Sequence, residues 1–158
     1  ATAIEEANRF RTLPTGSYTI QVTAVKGQKF QGDDRPLAHM TADVLVDGVK
    51  KATVFFNASW VDRRTASGRL DGNFSRWAQI LRVLYPDLDS SGRAAKSPAE
   101  VCKEVTLYPF KAYIVESFRV LGGDGKTAWT TPRTEAELTT LRASGAEPRN
   151  MVMNLGKV

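Results

Sequence analysis

The sequence predicts a mainly β fold with helical additions. Three observations carry that expectation. The first third of the chain alternates apolar and polar residues at a period of two. Asp47–Gly48 stands between two such runs, and an Asp-Gly pair in that position is the strongest short-range hairpin signal. A single stretch, 73–85, switches to helical spacing before β-branched and aromatic residues return after 105.

The elements follow in order. Residues 2–10 are expected to form a short helix, marginal by itself. "LPTG" at 13–16 breaks the chain. "SYTIQVTAVK" (17–26) alternates, with Tyr18, Ile20, Val22 and Ala24 on one face, and reads as a half-buried strand. A polar loop, 27–36, leads to a second strand at 37–46, where Met40, Ala42, Val44 and Val46 share a face. The hairpin turn delivers a third strand, 49–56. In 73–85, Phe74, Trp77, Ile80, Leu81 and Leu84 recur at helical spacing, and Pro86 ends the helix. Ser97, Pro98 and Glu100 form the start signal of a short helix over 97–104. Residues 105–121 read as one long or two short strands, interrupted near Pro109. "GGDG" (122–125) is a turn and 126–131 the returning strand. Thr134 with Glu137 opens a last helix that ends near Gly145.

Three strands, a helix, two strands and a trailing helix are the order of a five-stranded OB-like barrel, which is a partly open Greek key. A sheet with helices on one side fits the same order, since order alone does not determine closure. A chain of 158 residues is expected to be one domain, with an N-terminal extension at 1–12 and an edge strand or tail at 146–158.

Composition narrows the function classes. Apolar residues are 42% and charged residues 25%, ordinary for a globular protein. Net charge is +5 with a pI near 9.5, which permits an anionic partner without requiring one. The single Cys102 excludes an internal disulfide and suits a reducing compartment. No apolar run reaches the roughly 18 residues of a membrane helix, and the acidic "ATAIEEANRF" lacks the pattern of a signal peptide. The expectation is a cytoplasmic protein with no membrane partner.

Catalytic constellations are missing from the sequence. His39, the only histidine, sits on a predicted strand without a nucleophile elbow nearby. One Cys and one His do not make a zinc cluster. "GGDGKT" (122–127) lacks the spacing of a phosphate-binding loop, and a strand rather than a helix is expected after it. Asp33–Asp34 and Asp87–Asp89 lie in loops, where acids cap turns. No enzyme, cofactor or metal is expected.

What the sequence does contain is aromatics interleaved with cations. Single-stranded nucleic acid is held by cations along the phosphates and aromatic faces under the bases. An OB-fold offers the face of strands 2 and 3 with the loops between strands 1 and 2 and between strands 4 and 5. Four places match. The first loop carries Lys29, Phe30 and Arg35, though Phe30 can equally fold back over the barrel. Strand 3 carries Lys51 and Phe55 beside Lys50, where paired lysines also guard an edge strand. The loop after strand 3 carries Trp60, Arg63, Arg64 and Arg69; Trp60 is either a stacking ring or a lid on the core. The last turn and strand carry Lys126 and Trp129, and Trp129 also fits a core position. The arginines, Lys29 and Lys126 are expected at phosphates, and Trp60, Phe30 and Trp129 under bases.

The order of Pro14, Gly16 and Tyr18, a strand, Asp47–Gly48, a third strand and a helix bearing Trp77 resembles phage-encoded OB-fold single-stranded-DNA-binding proteins of replication and recombination. The match spans about 13–85. The resemblance implies single-stranded DNA binding with little sequence preference, in the host-cell cytoplasm. RNA as ligand, a homo-oligomer, and replication or recombination proteins as partners stay open. The alternative is a protein-interaction or structural module, a virion component or host-factor inhibitor, on the same fold.

Overall fold

The computed structural model describes residues 12–29, 36–62, 64–87 and 97–158. The expected helix at 2–10 and most of the first loop lie outside the described residues. Among the described residues the elements are β1 (Gly16–Lys29), β2 (Pro36–Val46), β3 (Val49–Ala58), α1 (Gly72–Leu84), α2 (Pro98–Glu104), β4 (Pro109–Leu121), β5 (Thr127–Thr130), α3 (Glu135–Ala143) and β6 (Glu147–Gly156). The protein is mainly β. Its six strands form an antiparallel open sheet in the order β3-β2-β1-β4-β5, with β6 paired to β4. A fourth strand returning beside the first of three is the Greek-key arrangement. The expected edge strand or tail at 146–158 is β6, a sixth strand.

The chain forms two compact units. The larger comprises Ser17–Tyr113 with Val152–Val158, and the smaller the described residues 12–16 with Ile114–Met151.

In the larger unit β1, β2 and β3 form the antiparallel meander that the alternation predicts. Ile20, Val22, Met40, Ala42, Val44, Val54 and Phe56 are buried on its inner face. One detail differs from expectation. The register of β1 against β2 shifts between Val22 and Ala24, so Ala24 pairs with Thr41 and is exposed. A bulge inserts one residue and moves everything after it to the opposite face. The hairpin turn has Asp47 at φ 53° and Gly48 at φ 76°. Both positive values are what a type I′ turn requires, and Gly adopts its value without a Cβ penalty.

Helix α1 starts at Asp71, whose carboxylate accepts from the Asn73 backbone N–H. It buries Trp77, Ile80 and Leu81, as its spacing predicts. Trp77 is only 4% exposed. In α2, Ser97 accepts from Glu100 N and Pro98 occupies the first turn. Residues 105–107 are a turn, not the expected start of a strand. Val105 continues the helical hydrogen bonding to Val101, and β4 opens on Pro109. Proline is tolerated at the first residue of a strand, where no ladder donor is missed.

In the smaller unit, β4 and β5 pair from Phe118↔Thr130 to Leu121↔Thr127. The turn between them is closed by the Gly122 N–H donating to the Lys126 carbonyl at 2.8 Å. Thr134 caps α3 by accepting from Glu137 N. Glu116 is buried, and its carboxylate accepts from Arg142 at 2.8 Å and from Thr12 at 2.6 Å. Among the described residues no helix is long and apolar enough to cross a membrane.

Candidate nucleic-acid interface

Strand alternation gives the meander a second face, turned away from the core. Lys26, His39 and Asn57 form one cross-strand row, and Thr41 with Phe55 the next. Phe55 is 57% exposed. Its ring lies nearly parallel to that of His39, at 9° with centroids 5.8 Å apart. This is the diagonal contact that long side chains make between strands. His39 is itself oriented: its Nδ1 is 2.8 Å from Asn57 Oδ1. An amide oxygen only accepts, so this contact takes the tautomer in which Nδ1 donates, and Nε2 has no partner among the described residues. The backbone of Asn57 is anchored in turn, because its main-chain carbonyl accepts from Arg76 Nε at 2.7 Å. Arg76 also donates to Asn73 Oδ1, and burial lowers its pKa below the usual arginine range. A guanidinium on α1 thus holds the end of β3, which holds the histidine under the phenylalanine.

Cations flank this platform. The amines of Lys26 and Lys51 are exposed and have no ion-pair or hydrogen-bond partner among the described residues. Lys50 differs, since it pairs with Asp43 across the strands at 3.3 Å. On β4, Phe110 and Ala112 are buried while Lys111 and Tyr113 are exposed.

The loop after β3 is held by specific hydrogen bonds. Ser59 is fully buried; its hydroxyl donates to the Pro36 carbonyl at 2.7 Å and its N–H to the Asn73 carbonyl at 3.0 Å. That anchor aims Trp60 at Trp77, with ring centroids 5.3 Å apart and planes at 56°. Trp60 is half-buried and occupies the lid position. Further on, Thr65 N–H donates to Arg69 O at 2.8 Å, and Gly68, at φ 82°, closes the turn. Arg64 donates to the Gly68 carbonyl at 3.1 Å and lies 3.9 Å from Asp62. Arg69 is exposed, and its guanidinium has no partner among the described residues.

In the smaller unit Lys126 is exposed beside the turn before β5. Trp129 is half-buried, and the Arg149 guanidinium lies 3.8 Å from its ring centroid.

The structure therefore puts Phe55 on the meander's outer face, leaves Lys51 exposed at the β2–β3 bulge, and carries Trp60, Arg64 and Arg69 on the loop that follows β3. Lys126 and Trp129 belong to the smaller unit. Phe30, Arg35 and Arg63 lie outside the described residues, as does the side chain of Lys29. Sequence reasoning missed His39, Asn57 and Arg76 as parts of the platform. Parity predicted that Phe55 and Asn57 share a face, but only the pairing register shows that His39 joins them. No protein-family model, curated protein or solved structure gives a match to this chain.

Proposed function

We propose that the protein binds single-stranded DNA with little sequence preference, in a phage replication or recombination setting, through the outer face of β1–β3. The observation that carries this reading is Phe55: an exposed ring, stacked nearly parallel on an oriented histidine, on a meander whose Lys26 and Lys51 are exposed and have no acid partner among the described residues. A lone exposed phenylalanine is ordinary. An exposed ring backed by a second ring, with Lys26 in the same cross-strand row as that second ring, offers what a base and a neighbouring phosphate need. We further read the open sheet as an OB-like barrel left open between β3 and β5. The Greek-key order supports this, and strands 2 and 3 of that fold present the binding face.

The test is a titration of labelled oligo-dT at several salt concentrations. If about three phosphates are neutralised, the log–log slope is about −2. Phe55→Ala weakens binding about five- to a hundredfold, since one base stack is worth about 1–3 kcal/mol. It shifts stability by less than about 1 kcal/mol, because the ring is mostly in water. Binding that ignores salt, or a Phe55→Ala variant with wild-type affinity, sinks the reading.

A further inference from the structure

A groove opens in the smaller unit between β5 and α3. Its volume is about 920 Å³. Ligand sites fall in the range of about 300–1,000 Å³. Trp129, Ala136 and Leu141 supply its apolar lining, and Arg133, Glu137 and Thr140 its polar lining. Helix α3 buries none of its residues, so this side of the unit is not filled by packing.

The charges in the groove are not equivalent. The Glu137 carboxylate accepts from the Arg133 backbone N–H at 2.7 Å, within the cap of α3. The Arg133 guanidinium has no partner among the described residues. Other arginines of this unit are committed. Arg142 is held by Glu116 at 2.8 Å, and Arg119 lies 3.8 Å from Glu147. Arg149 covers one face of the Trp129 indole and leaves the rest of the ring to the groove. A planar ligand entering the groove meets an indole electronically paired with a cation. An anion entering it meets Arg133, whose guanidinium is exposed and has no partner among the described residues.

We propose that this groove is a second subsite, taking an unpaired nucleotide with its base against Trp129 and its phosphate at Arg133. The proposal rests on the nucleic-acid reading above and extends it to a separate surface. An aromatic ring and a free guanidinium are the two contacts that single-stranded nucleic acid uses without regard to sequence. An acidic peptide such as polyglutamate would use the arginine but brings no aromatic ring to the indole.

The experiment measures anisotropy of labelled oligo-dT on the full chain and on Arg133→Ala, Trp129→Ala and Trp129→Phe. Arg133→Ala leaves the fold intact, because the side chain is exposed and has no partner among the described residues. It weakens binding about three- to tenfold and makes the salt slope about 0.7 less steep, the loss of one phosphate contact to a single strand. Trp129→Ala weakens binding about five- to a hundredfold and Trp129→Phe retains most of it. If Arg133→Ala keeps wild-type affinity and slope while Phe55→Ala still binds weakly, the subsite is overturned and the meander site stands. If polyglutamate displaces nothing, the nucleotide assignment holds against the peptide one. If polyglutamate, and not oligo-dT, changes the part of the tryptophan emission that Trp129→Phe removes, the groove belongs to an acidic peptide and the proposal is overturned. Absence of any binding by the wild type at low salt overturns both sites together.

Discussion

Trp60 and Phe55 are five residues apart and divide the work differently from their first appearance in the sequence. Trp60 looks like the exposed ring, because it stands past a strand among arginines. The structure seats it against Trp77, with Ser59 anchoring the backbone on each side. A half-buried indole in an edge-tilted contact carries real packing energy. Trp60→Ala is therefore expected to lower stability by about 1–3 kcal/mol and to leave the affinity of the folded protein nearly unchanged. Melting temperature and oligo-dT affinity on one sample check this; a fully stable Trp60→Ala protein that binds weakly returns the ring to the interface. Phe55 was legible, because strand parity opposes it to Phe56 and Val54. Trp60 was not, because in a loop direction is set by particular hydrogen bonds, here those of a serine that nothing in the sequence distinguishes from its neighbours. His39 was half legible: its strand was predicted, but its partner on the next strand follows from register.

Among the elements, the junction of α1 and α2 has a titratable link. Tyr85, the residue that caps the end of α1, donates its hydroxyl to the carboxylate of Glu104, the last residue of α2. Burial, then the hydrogen bond and charge of Glu104, push the phenol well above its usual range. The neutral phenol is the form that the fold favours. Its contribution is thus fully present below the ordinary tyrosine pKa of about 10 and is lost as pH rises beyond it. Stability of the wild type is expected to fall on alkaline titration more steeply than that of Tyr85→Phe, which starts lower at neutral pH. Parallel pH-dependent urea melts decide it, and equal pH dependence of the two proteins refutes the link. The helices themselves were legible from Ser97, Pro98, Thr134 and Glu137, since capping chemistry is local. The bulge at Val22–Ala24 and the turn at 105–107 were not. A bulge exists only relative to a partner strand, and "VTLY" has the composition of a strand while completing the end of α2.

At the scale of the molecule, the order of elements through α3 could be read, whereas the sixth strand, closure and the division into units could not. These depend on which distant strands pair. β4 begins in the larger unit and ends in the smaller, and β6 runs the opposite way. No local signal marks such a handover. The Greek-key order has a consequence for synthesis. β1 lies between β2 and β4, so its second edge waits for a partner encoded far downstream. The Gln21 side chain, for example, donates to the Thr106 carbonyl across 85 residues. Leu155 N–H donates to Gln79, so the larger unit is completed only by residues beyond 151. While the ribosome is still adding α1, the meander exists with one side of β1 bare, and a bare edge pairs with whatever strand it meets. A fragment ending at residue 87 is expected to self-associate on light scattering, where the full chain does not; a monodisperse, folded fragment would show that the edge is harmless. The lysines of β3 guard one border of the nascent meander. Its other border, at β1, carries a lysine only towards the end of the strand, at Lys26 and Lys29, so the stretch before them is exposed to slow synthesis or a stall between 60 and 105.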